Sequence, residues 1–163
     1  ATDEDIDAVA RSFAGVEHRI EFVREKDGVK YYNDSIASSP SRTIAGLRSF
    51  PEKVILIAGG YDKHIPFDVL GPEVTAHVKL LVLCGATAGK IRAAVESAPD
   101  YRPGRPEILE VTPFQAAVEA ARDHAAAGDV VTLSPACAAF DQFKNFAERG
   151  RVFKEIVRSW PEE

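Results

Sequence analysis

The apolar positions of this chain change their period several times, and each change marks an element. Ile6, Val9, Ala10 and Phe13 recur at helical spacing behind Thr2-Asp3-Glu4-Asp5, an N-cap threonine followed by the acidic residues a helix dipole favours, and Gly15 closes the element. From Ile20 the texture becomes extended: segments 20–26 and 29–33 flank Asp27-Gly28, a strong hairpin signal. Ser39-Pro40 then opens a helix that runs to about Ser49, with proline at the first helical position. Residues 54–58 form a continuous apolar run, the mark of a strand covered on both faces. Beyond it, helices over 66–75, 87–97, 112–126 and 143–159 alternate with strands over 78–84, 108–111 and 129–133, while 59–65 and 99–106 read as loops.

Strand followed by helix, four times over, predicts right-handed crossovers and an α/β, Rossmann-like fold. Its sheet is mainly parallel with helices on both faces, and an antiparallel hairpin lies near the N-terminus. At 163 residues, 45% hydrophobic and 28% charged, the chain fits one ordinary globular domain over 1–163. No apolar run approaches the ~18 residues of a membrane span, and no signal peptide is visible. The net charge of −5, from 20 basic and 25 acidic residues, argues against a nucleic-acid partner held by bulk electrostatics. Anionic ligands then depend on locally placed donors. Cys84 and Cys137 read as buried free thiols of a reducing compartment. The chain contains no methionine, which predicts a piece of something longer.

In open α/β sheets ligands bind outside the carboxyl ends of the strands. Those ends hold most of the unusual polar residues: Asn33-Asp34-Ser35 through Ser39, Gly59-Gly60-Tyr61-Asp62-Lys63-His64, Gly85-Ala86-Thr87, and 134–145. A carboxylate at Asp34 suits ribose hydroxyls or a metal, although such residues also form Asx turns routinely. Ser38 and Ser39 stand at a helix N-terminus, where hydroxyls and free amides make an anion site. Lys63 supplies a cation for a carboxylate or phosphate, or is a solvated loop lysine. Backbone amides near Phe143, at the start of the last helix, offer a second anion site. Catalysis by Cys137 has no histidine partner motif behind it. The four histidines (His18, His64, His77, His124) and two cysteines show no metal-ligand spacing. Neither G-x-G-x-x-G nor G-x-x-x-x-G-K-[ST] is present.

Four motifs, taken together, resemble the C-terminal domain of the Mur ligase family over nearly the whole chain. They are the stretch from Phe13 to Glu21, Tyr32-Asn33-Asp34-Ser35, Gly59-Gly60-Tyr61-Asp62-Lys63, and Ser134-Pro135-Ala136-Cys137-Ala138 with Asp141 through Gly150. The Asp-Asn-Pro-Arg motif tied to diaminopimelate selection is missing, so the resemblance points to the D-glutamate-adding branch. It implies a full-length, ATP-dependent amide ligase that uses Mg2+ and acts through an acyl phosphate on UDP-N-acetylmuramoyl-L-alanine in peptidoglycan precursor synthesis. It also implies a monomer whose UDP-binding and ATPase domains are absent from this chain, leaving the isolated domain inactive.

Carried over by position, Arg19, Asp34 and Asn33 would meet the nucleotide, with Asp34 on the ribose. Lys63, Ser38, the Phe146 backbone amide and the Ala139 position would meet D-glutamate, and no residue of this chain is expected to bind a metal. Two positions depart from the family pattern: Ile36 stands where lysine is frequent, and Ala139 where a substrate-binding serine is frequent. Either Ser134, a water or a backbone group replaces that hydroxyl, or this branch binds D-glutamate differently. Two other readings stay open, a free-standing amino-acid or nucleotide binding module and a related amide ligase with another amino acid.

Overall fold

The computed structural model describes residues 17–140 and 142–161, so the helix read from the first fifteen residues lies outside it. The hairpin forms as its turn residues require. Strand β1 (Glu21–Lys26) reverses through Asp27 and Gly28, at φ 55 and 81, into the antiparallel β2 (Val29–Asn33). There follow α1 (Pro40–Arg48), β3 (Val54–Ala58), α2 (Leu70–His77), β4 (Val78–Leu83), α3 (Ala88–Glu96), β5 (Glu107–Glu110), α4 (Phe114–His124), β6 (Val130–Leu133) and α5 (Phe146–Ser159). The sheet order is β1-β2-β6-β3-β4-β5, and every pairing except β1–β2 is parallel. Because β6 enters between β2 and β3, the loops leaving these three strands emerge side by side.

The continuous apolar run becomes the centre of the sheet: all five residues of β3 are buried. Successive side chains point to opposite faces. Ile55 and Ile57 pack with Val131, Phe114, Val118, Phe153 and Val157 under α4 and α5. Leu56 joins Leu81, Leu83, Leu47, Leu70, Val74, Ile91 and Val95 under α1, α2 and α3. At about 1.5–3 kcal/mol for each large aliphatic side chain buried, these two layers hold the sheet rigid beneath its loops.

Several boundaries differ from the sequence reading by a few residues. The helix expected over 66–75 starts at Leu70, because Phe67 is drawn into the core and Leu70 N and Gly71 N turn onto the carbonyls of Phe67 and Asp68. Pro72 still falls in the first turn, where its missing N–H costs nothing. The last helix starts at Phe146 rather than Phe143, since Asn145 takes the N-cap and its Oδ1 accepts the Glu148 amide at 2.8 Å. Strand β5 sits one residue earlier than read. Cys84 and Cys137 are free and buried, as expected.

Candidate functional site

The loops at the carboxyl ends of β2, β3, β4 and β6 are laced by backbone hydrogen bonds. Gly59 N donates to Pro135 O and Tyr61 N to Ala138 O, both at 2.9 Å, tying the β3 loop to the β6 loop. Ala136 N donates to Ala37 O at 2.9 Å, tying the β6 loop to the β2 loop. Gly60 N donates to Thr87 Oγ1 at 3.0 Å and brings in the β4 loop. Gly59 has no substitute here: it stands at φ 108, and a Cβ would overlap the Cys84 carbonyl.

Lys63 rides on this assembly, exposed, with no hydrogen bond or ion pair to any described residue. Its neighbour Asp62 is neutralised instead. The Lys90 ammonium and the His64 amide both bind the Asp62 carboxylate and hold its pKa below the usual range. Ser38 lies just ahead of α1, partly exposed; the α1 N-cap, Ser39, makes no capping bond with its side chain, so the first amides of that helix stay open. Phe146 is the first residue of α5, its ring exposed and its carbonyl accepting the Ser35 hydroxyl at 2.7 Å. Ala139 is buried, and its carbonyl receives the amides of Gln142 and Phe143. Ser134 does not replace a hydroxyl there, because it is buried, donates its one hydroxyl proton to Asp34 Oδ2 at 2.8 Å and has Thr43 Oγ1 beside it at 3.2 Å.

Asp34 is only 3% exposed, and both of its oxygens are engaged: Oδ2 by Ser134, and Oδ1 by the Ile20 amide at 3.1 Å. Burial raises its pKa to about 6 against the lowering effect of these bonds and of Arg19 and Arg42. Ile20 meets it at φ 45, a costly conformation for a β-branched residue. Asp34 forms part of the wall of a groove of about 730 Å3, with Arg19, Arg42 and Ile36 beside it. Phe22, Tyr32 and Phe50 complete the wall as an edge-to-face series with ring centroids 5.5 and 5.1 Å apart. Arg19, which spacing alone gave no reason to choose, thus shares a groove with Asp34.

Asn33 is fully buried beneath these residues. Its Oδ1 accepts the Ser35 amide at 3.0 Å, so the Asx turn anticipated for this segment forms at Asn33, while Asp34 faces the groove. Its Nδ2 reaches Glu21 Oε1 at 3.1 Å and His18 Nδ1 at 2.8 Å, which makes Nδ1 the acceptor and leaves the proton on Nε2. Burial accordingly lowers the His18 pKa. Glu17, His18 and Glu21 have the spacing of a metal site, but the Lys154 ammonium contacts Glu17 and Glu21 at 2.8 and 3.1 Å, where a cation would sit.

The imidazole packs on Gly150 so closely that a Cβ there would overlap the ring and lie 3.0 Å from Asn33 Nδ2. Gly150→Ala is therefore expected to destabilise the fold, the overpacking of about 1–3 kcal/mol outweighing the ~1 kcal/mol gain in helix propensity. An unchanged urea midpoint would show that the imidazole can move aside.

Sequence reasoning gave Arg149 no role, although it lies within the last of the four motifs. It is 2% exposed and joins Ser35 to Cys137 through three side-chain hydrogen bonds. The available signal was periodicity: Arg149, Gly150, Phe153, Ile156 and Val157 fall on one helical stripe, and an arginine on an apolar stripe calls for internal partners.

The family description "Mur ligase, glutamate ligase domain" matches residues 18–137. This chain belongs to the Mur ligase family. It is 60% identical over 154 residues to the UDP-N-acetylmuramoylalanine–D-glutamate ligase of Acetivibrio thermocellus, covering 93% of this chain and 33% of that protein. The ligase of the same name from Clostridium novyi is 57% identical over 159 residues, covering 98% and 35%. The chain thus spans about a third of the length of these relatives. Solved structures share the fold at low identity. The murein peptide ligase of Psychrobacter arcticus gives a TM-score of 0.59 at 14% identity, over 96% of this chain and 33% of that one. The E. coli FolC structure, solved with ADP, gives 0.56 at 17%, over 88% and 32%.

Proposed function

We propose that this chain is the C-terminal, amino-acid-receiving domain of an ATP-dependent ligase that adds D-glutamate to UDP-N-acetylmuramoyl-L-alanine. The observation that carries the reading is the lacing of the β2, β3 and β6 loops. It sets the cation of Lys63, unpaired among the described residues, the hydroxyl of Ser38, the open first turn of α1 and the Phe146 end of α5 around one end of the sheet. This is a surface of donors, suited to a ligand bearing two carboxylates. Relatives 57–60% identical to this chain are named for D-glutamate addition.

In this reading Lys63 and Ser38 bind the D-glutamate carboxylates, the Phe146 amide assists, and Ala139 contributes its backbone fold. Arg19 and Asp34 meet the nucleotide across the aromatic groove. Asn33 acts from below, holding Ser35 and His18 in place. The ligase chemistry converts the alanyl carboxylate to an acyl phosphate with ATP, and the D-glutamate amine displaces phosphate to form the amide. This chain's part is to orient that amine and to keep water from the activated intermediate. The UDP-sugar site, the phosphate loop and Mg2+ binding belong to the N-terminal and central domains of the intact, monomeric, cytoplasmic enzyme.

Phosphate release by the intact protein with ATP and UDP-N-acetylmuramoyl-L-alanine tests this. Release should require D-glutamate and should be absent for the isolated domain. Equal turnover with another amino acid, a result that Ile36 and Ala139 would explain, replaces D-glutamate as the substrate. No amino-acid-dependent release at all leaves a binding module.

A further inference from the structure

We propose that Arg149 is a positioning residue that sets the distance between the two loops receiving the amino acid, those of Ser35–Ser39 and Ala136–Ala139. The inference rests on the ligase reading for its substrate, but its geometry stands alone. Arg149 Nε donates to Ser35 Oγ at 2.9 Å and one terminal nitrogen to Ser35 O at 2.7 Å, while the other donates to Cys137 O at 2.9 Å. One planar guanidinium therefore spans from the β2 loop to the β6 loop. The Ser35 hydroxyl that accepts from Nε donates in turn to Phe146 O, extending the link to the first residue of α5. A Cβ on Gly60 would lie 3.5 Å from the Arg149 terminal nitrogen, so the Lys63 loop also rests against the same group.

The backbone bond from Ala136 N to Ala37 O joins the same two loops at one point, and that from Tyr61 N to Ala138 O ties the second of them to the β3 loop. The guanidinium adds a rigid spacer between Ser35, one residue past Asp34 and three before Ser38, and Cys137, two residues before Ala139. Only a fork of this shape serves both ends. A lysine keeps the charge, yet its single ammonium cannot reach the three acceptors that the guanidinium fork serves from separate nitrogens. Arg149 is buried, so it acts on substrate through these loops and does not touch it.

The experiment compares the intact protein with Arg149→Lys and Arg149→Met, in steady-state kinetics and in hydrogen–deuterium exchange. Expected for Arg149→Lys is a rise of about tenfold or more in KM for the amino acid, corresponding to one or two charge-assisted hydrogen bonds, with KM for ATP within about twofold. Exchange should quicken in peptides covering 35–39 and 136–140 while β3 and β4 keep their protection. Added methylguanidinium should partly restore amino-acid use to Arg149→Met. A purely structural role would lower the melting temperature and change neither KM in the folded fraction, and that result overturns the proposal. So does unchanged exchange in both loops. If Arg149→Met does not fold, Arg149→Lys decides alone. The exchange readout needs no substrate, and the wild-type arm reports whether D-glutamate is used at all, so failure of the functional reading is seen separately.

Discussion

Replacing Asp34 by Asn is expected to stabilise the domain at neutral pH and to flatten its stability between about pH 4 and pH 6, while impairing nucleotide use in the intact protein. Asp34 is 3% exposed, and burial lifts its pKa from 3.8 to about 6. The folded state therefore holds this proton more tightly than the unfolded state. Below pH 3.8 both states are protonated and the group costs nothing. As pH rises towards 6 the unfolded chain ionises first, and stability falls. Above pH 6 the folded domain carries a desolvated charge at a cost on the order of 3 kcal/mol. Asparagine removes the charge while its oxygen can still accept from the Ile20 amide. The difference between variant and parent in urea unfolding should grow from pH 4.5 to pH 7. A constant difference would mean that the buried carboxylate is fully compensated. Retention of a costly carboxylate, opposite a strained Ile20 and beside Arg19, fits a group kept for ligand contact.

Lys63→Ala is expected to leave the fold intact and to raise KM for D-glutamate in the intact enzyme by about ten- to a hundredfold, with KM for ATP little changed. Lys63 is exposed and has no partner among the described residues, so its loss should move stability by less than about 0.5 kcal/mol. Its effect on binding follows from the loop. Asp62 would be the nearest competitor for the ammonium, but Lys90 and the His64 amide already hold that carboxylate. The Lys63 charge thus remains available for an incoming carboxylate, an interaction of about 1.5–3 kcal/mol. Steady-state phosphate release against D-glutamate concentration measures it. An unchanged KM would place Lys63 outside the site.

The local pattern determined the order and type of nearly every described element, because side-chain period and turn residues act over a few positions. The all-apolar stretch at 54–58 could only be a central strand, and Asp27-Gly28 could only turn back. Sequence also placed Lys63, Ser38 and Asp34 at the carboxyl end of the sheet. Their exact surroundings were decided elsewhere. That Asp34 is buried against Ser134, 100 residues away, depends on β6 entering between β2 and β3. The anchoring of Phe67, which delays α2, depends on the same long-range packing. Arg149 is the clearest case: on its own helix it is one arginine among several. Only the meeting of the β2 and β6 loops supplies the carbonyls and the hydroxyl that a buried guanidinium requires. Period and turn chemistry are properties of neighbours in the chain, whereas a buried charge is satisfied by groups that only the assembled sheet brings together.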